Sequence, residues 1–185
     1  MSNKTSDTDA FALSLLEESK RFLEKAKSAD SEDVPPFLHA ALLLAFSSLE
    51  AHVNAMAEDF ATEFTDLTQH EVGVLREKEV RLEDGHFVVS NTLRMVRLED
   101  RIRFICNRFG KKKPIDFSEA WWNRLIEAGR LRNELTHPKG YVAVEIKAVA
   151  AAIEGIIGTL DAMYLGIYGR SFPAAGLGLD THLEF

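Results

Sequence analysis

The chain reads as an all-α bundle of four or five main helices. Two observations predict this. Apolar residues recur at intervals of three and four over most of the 185 residues. The runs are separated by breaks at 28–33, 110–114 and Pro138, and only residues 66–90 depart from helical spacing. The length suits one well-buried domain and is short for two.

Over 9–29, Phe11, Leu15, Phe22 and Ala26 form the apolar repeat, and Glu17 and Arg21, four apart, are placed to pair. The polar run Ser28-Ala29-Asp30-Ser31-Glu32-Asp33 ends this helix, and Pro35-Pro36 starts the next. Leu38, Leu42, Ala45, Leu49, Val53, Met56, Phe60 and Phe64 then recur over about seven turns, a long central helix. Residues 71–79 can extend a helix. Val80-Arg81-Leu82 and Phe87-Val88-Val89 flank Glu83-Asp84-Gly85-His86, and Asp-Gly between short apolar runs signals a hairpin, so 66–90 reads as a small insertion.

Thr92 is expected to begin the next helix, with Leu93, Val96, Ile102, Ile105 and Phe109 apolar and Gly110 at its end. After the loop Lys111-Lys112-Lys113-Pro114, Asp116 with Glu119 three residues later reads as an N-cap and its reciprocal partner. The helix that follows aligns Phe117, Trp121, Leu125, Ala128, Leu131 and Leu135. It must end near His137, because Pro138 disfavours helical geometry in the residue before it. A last helix, from Val142 to about Tyr168, buries Ile146, Val149, Ile153, Ile157, Leu160 and Tyr164. The expected organisation is one helical domain over 1–170 and an irregular tail over 171–185.

Composition narrows the function classes. Apolar content of 46% with 28% charged residues is that of a globular chain, not a disordered one. A single cysteine, Cys106, excludes an internal disulfide framework and a four-cysteine metal site, which fits a reducing cytoplasm. It lies in an apolar stretch and reads as buried and inert. The polar N-terminus lacks a secretory pattern, and the longest charge-free apolar stretch, 34–49, falls short of a membrane span. The net charge of −7 argues against general nucleic-acid affinity. Within 91–113, however, eight basic residues face Glu99 and Asp100, a net of +6. That run is either a local anion site or a solvated helix face.

His39, His52, His70, His86 and His182 are dispersed, with no His-x3-His pair, so no metal site is expected. Trp121 and Trp122, being adjacent, are expected to split between core and surface. The chemistry concentrates in Arg132-Asn133-Glu134-Leu135-Thr136-His137. Asn133 and His137, four apart, share a helix face, and the long Arg132 stem sweeps toward the same end. With Leu131 and Leu135 toward the core, these three flank a groove or interface. A histidine at a helix C-terminus is favoured as imidazolium by the macrodipole and suits acid–base work near neutral pH. Arginine's planar fork suits phosphate oxygens. The alternative is helix capping and dipole compensation. One chain supplies one such histidine, so two copies meeting across a symmetric interface would make a fuller site.

The string resembles the Arg-x4-6-His signature of HEPN domains, with Asn133 as the polar residue found directly after the arginine in ribonuclease branches. The helix order agrees with that family. The segment Phe46-Ser47-Ser48-Leu49-Glu50-Ala51-His52-Val53-Asn54 is similar to the central helix of small prokaryotic members, where an acidic residue and an asparagine sit one turn apart, as Glu50 and Asn54 do. The resemblance covers roughly 36–168. It implies a homodimeric, metal-independent endoribonuclease without cofactor, acting on RNA in a toxin–antitoxin, phage-defence or RNA-processing setting, with an antitoxin or nucleotidyltransferase as a further partner. It implies phosphate contact by Arg132, positioning by Asn133 and acid–base work by His137. Glu50, Asn54 and Lys139 are candidates for substrate binding, although Glu50 and Asn54 read first as polar-face or helix-contact residues. Many members bind without cutting, so a non-catalytic module binding nucleotide, RNA or protein is the alternative.

Overall fold

A computed structural model describes residues 3–30, 32 and 34–184. Among these the order is α1 (Asn3–Ser28), α2 (Val34–Glu63), α3 (Gln69–Arg76), β1 (Lys78–Glu83), β2 (His86–Leu93), α4 (Leu98–Phe109), α5 (Ala120–Thr136) and α6 (Ile146–Tyr168), then a 3-10 turn at Ala175–Leu177. The architecture is mostly helical, with one two-stranded antiparallel sheet.

α1 and α2 run antiparallel, clamped by two hydroxyls that each donate to the other helix: Ser19 Oγ to Ala41 O and Ser48 Oγ to Ala12 O, both 2.7 Å. The buried face of α1 is Ala12, Leu16, Leu23 and Ala26, one residue on from the expected Phe11 and Leu15; Phe11 is 61% exposed. Small Ala12 lets the two backbones approach where Phe11 would hold them apart. Glu17 holds the fully buried Lys20 at 2.8 Å, while Arg21 reaches Glu24. Along α2 the expected stripe from Leu38 to Phe60 is buried. Phe64 lies just beyond the helix, with its ring on Phe60 and Phe109.

The insertion begins with α3, whose N-cap Thr68 and Glu71 form a reciprocal capping box. α3 stops at Arg76, short of the expected extension to 79, because Glu77 turns left-handed at φ 51°. In the hairpin Asp84 and Gly85 both have positive φ, 48° and 81°, as a two-residue type I′ turn requires. Leu82 pairs with Phe87 and Val80 with Val89. Thr92 belongs to β2 and does not begin a helix; α4 starts six residues later, at Leu98. The cause is Glu77, whose carbonyl accepts from Arg94 N–H at 2.8 Å and whose carboxylate accepts from Val96 N–H at 3.1 Å, holding 94–96 off the helix.

Two further helix starts move. Asp116 accepts from Ser118 N–H and Oγ–H, a turn over its own chain, so Glu119 is the N-cap residue and α5 starts at Ala120. α6 starts at Ile146, not Val142, because Tyr141 to Ile146 alternate exposed and half-buried, the pattern of extended chain. The end of α5 agrees with the expectation, with His137 as C-cap. Trp122 is buried and Trp121 half-buried.

α5 lies close on α6 because α6 presents glycines at the seam. Gly155 faces Arg124 and Leu125, and Gly158 faces the Cβ of Trp121. After α6 the chain folds back: Phe172 is buried between His52 and Tyr164, each ring 5.2 Å away, and its N–H donates to Asp161 at 2.9 Å. By length and composition α2 and α6 are long and apolar enough to cross a membrane, which a charge-free count over 34–49 understates. In this fold they carry much of the core, through Leu42, Leu49 and Val53 of α2 and Ile153, Ile156 and Leu160 of α6.

Candidate functional site: a cleft at the end of α5

The last turn of α5 closes on itself. His137 N–H donates to Asn133 O at 2.9 Å, and Thr136 Oγ–H donates to Arg132 O at 2.9 Å. Pro138 carries the chain away. On the side facing α2, Arg132 is half-buried. Its Nη2 donates to Glu50 at 2.5 Å, its Nη1 to the Asn133 side-chain oxygen at 3.4 Å, and its guanidinium lies 5.1 Å over the Phe46 ring. One turn along α2, Asn54 Oδ1 accepts from Arg101 Nη1 at 2.5 Å.

Arg101 comes from α4 and is 5% exposed. Besides Asn54 it binds Glu77 at 3.1 Å and the Leu75 carbonyl. Burial lowers its pKa, and the carboxylates of Glu77 and Glu50 oppose that shift. Such carboxylates offset the cost of burying the guanidinium. Arg101 thus joins α2, α3 and α4 at one point, and Glu50 lies within the electrostatic reach of two arginines.

These groups border a cleft of about 640 Å³ between α2, α5 and the segment leading into α4. Phe46, Leu98 and Ile126 supply apolar wall, while Arg97, Arg130, Glu99 and Asp100 add charges of both signs. Glu99 fits because Gly129 of α5 has no side chain: a Cβ there would lie 3.2 Å from Glu99 Oε1.

Four of the six residues expected from sequence therefore meet: Arg132, Asn133, Glu50 and Asn54 line one cleft. His137 and Lys139 do not line it. Both are exposed beyond the end of α5, and the His137 ring has no hydrogen-bond partner among the described residues. No described hydrogen bond or ion pair joins Arg132 to His137; five residues apart, they leave the helix on different sides. Arg101 is the site residue that sequence reasoning missed, counted only within the basic run. Its signal was position, since it shares the apolar stripe of Leu98, Ile105 and Phe109.

The basic run does not gather into one anion site. Arg103 stacks on Phe117 and Trp122 at 4.4 and 4.5 Å, and Arg108 bridges Asp66 and Glu71 at 2.8 and 2.9 Å. Lys111, Lys112 and Lys113 occupy the exposed loop before α5. Elsewhere burial pushes the Cys106 thiol up to about 12 and holds the His52 imidazole down to about 4. Among the described residues no three His, Cys, Asp or Glu side chains are grouped to hold a metal ion. Comparison with protein-family models, curated proteins and solved structures finds no match to this chain.

Proposed function

We propose that this chain is a HEPN-like endoribonuclease that cuts RNA without a metal or other cofactor, leaving 2′,3′-cyclic phosphate ends. The observation that carries the reading is the setting of the Arg-Asn-x-x-x-His string. Arg132 and Asn133 stand in the wall of a cleft, and His137 emerges one turn later, exposed. Transesterification at an RNA phosphate needs a cation at the non-bridging oxygens and groups that move protons on and off the reacting oxygens. Arg132 meets the first need with a planar fork. His137 meets a proton-transfer need, and Asn133 orients Arg132 and the phosphate.

The exposed end of α5 supports a homodimer in which His137 of one copy reaches the cleft of the other. The acidic total, −7, favours a selected RNA over indiscriminate binding. A cytoplasmic toxin–antitoxin, phage-defence or RNA-processing setting, with an antitoxin or nucleotidyltransferase partner, accords with that selectivity. Purified protein is expected to cut structured RNA in EDTA, and His137→Ala to lose that activity. Equal cleavage by wild type and His137→Ala rejects the assignment.

A second reading rests on the Arg132–Glu50 pair. Because the arginine already has a carboxylate, the cleft would bind nucleotide, RNA or a protein segment without cutting. Nucleotide-dependent thermal stabilisation without any cleavage favours it.

A further inference from the structure

We infer that Glu50 is the general base of the site, with His137 left as the acid; the inference rests on the ribonuclease reading above. Cleavage next to a 2′-hydroxyl needs an acceptor for that hydroxyl's proton close to the group that grips the phosphate. Arg132 is that grip, and the carboxylate in contact with it is Glu50, at 2.5 Å. His137 is neither in the cleft wall nor bonded to Arg132.

The other cleft carboxylates are differently placed. Glu77 is committed to Arg101 and to the Val96 N–H, and Glu99 and Asp100 sit in the first turn of α4, where helix N-termini favour acidic residues. Glu50 also remains reachable, its side chain 45% exposed despite the ion pair. Its surroundings hold it beside the phosphate grip. Arg132 of α5 touches it, the buried Arg101 of α4 attracts it, Asn54 one turn on is taken up by Arg101, and Arg97, Arg130, Glu99, Asp100 and Glu77 complete the charges of the cleft. The Arg132 guanidinium fixes where the carboxylate points.

The 2′-oxygen attacks phosphorus as its proton passes to Glu50. The bond from phosphorus to the 5′-oxygen breaks as His137 gives that oxygen a proton, leaving a 2′,3′-cyclic phosphate and a free 5′-hydroxyl. Arg132 holds the two non-bridging oxygens throughout. No second histidine is needed, so a dimer has only to supply the acid.

The test is Glu50→Gln, with Glu50→Asp beside it, in single-turnover cleavage from pH 4 to 9. Binding to the same RNA carrying a 2′-deoxy nucleotide at the cut is measured in parallel, and melting checks the fold. Glu50→Gln is expected to slow cleavage by about 100-fold or more, lose the acid-side fall of the pH–rate profile and bind the deoxy RNA at least as tightly as wild type. Glu50→Asp is expected to keep that fall at a reduced rate. Glu50→Gln cutting at the wild-type rate or faster overturns the inference, since the carboxylate then only covers Arg132. A parallel loss of deoxy-RNA binding, or Glu50→Asp behaving as Glu50→Gln, also overturns it by making Glu50 a structural group. Wild-type protein that cuts no RNA overturns both this inference and the ribonuclease reading.

Discussion

Gly155→Ala probes the seam that sets the position of α5, and its sign is decided by two opposed terms. Alanine in place of a mid-helix glycine gains about 1 kcal/mol in helix propensity. Against this, a Cβ at 155 would lie 2.8 Å from Arg124 Cβ and 3.1 Å from both the Arg124 carbonyl carbon and the Leu125 nitrogen. Two of these three atoms are main chain, and the third is a Cβ that cannot rotate away. Relief therefore requires α5 to move off α6, and overpacking of that kind costs about 1 to 3 kcal/mol. With backbone as the obstacle the upper part of that range applies, for a net loss of about 1 to 2 kcal/mol. In a chain of this length that lowers the melting temperature by about 2 to 8 °C. Urea titration and thermal melting read the effect. Gly129→Ala is the control: its Cβ meets only the end of the flexible Glu99 side chain, at 3.2 Å, so it is expected to be neutral or to stabilise by up to about 1 kcal/mol. If Gly155→Ala stabilises as much as Gly129→Ala, the account of the seam is wrong.

His52 gives a pH dependence. The buried imidazole is held down to about 4, and neither ring nitrogen has a hydrogen-bond partner among the described residues. In the unfolded chain it takes a proton near pH 6.5, so acid favours unfolding. Its contribution is flat above about pH 6.5 and falls by about 1.4 kcal/mol per unit down to about pH 4, about 3 kcal/mol in all. His52→Leu is expected to be less steep than wild type between pH 6.5 and 4 in urea titrations; equal slopes refute the assignment. The dimeric site is tested by mixing Arg132→Ala with His137→Ala. Random exchange makes half the dimers mixed, each with one intact site, so roughly a quarter of wild-type cleavage returns if the site is shared. No recovery, or a strict monomer at micromolar concentration, contradicts the shared site.

The helices were legible where apolar spacing reports burial directly. The stripe of α2 is buried as spaced, and Asp84-Gly85 makes its turn because local φ preferences alone decide it. The starts of α4, α5 and α6 were not legible, because remote or competing hydrogen bonds set them. Glu77 holds 94–96 off the helix, and Asp116 spends its carboxylate on Ser118. The candidate site divides the same way. Arg132 and Asn133 were visible as a string, and Glu50 and Asn54 as an i, i+4 pair. That Glu50 meets Arg132 across 82 residues, and that Arg101 is the buried hub beside them, depends on how three helices converge. The tail lacks periodicity, yet Phe172 packs into the core, since one aromatic side chain anchors without a repeat.

Single-turnover cutting by Arg132→Ala in EDTA shows whether Arg132 stabilises an RNA phosphate during cleavage. The expected rate is at least about 100-fold below wild type, in a protein whose melting shows it folded. Cleavage by folded Arg132→Ala at the wild-type rate, with the same 2′,3′-cyclic ends, would contradict that role.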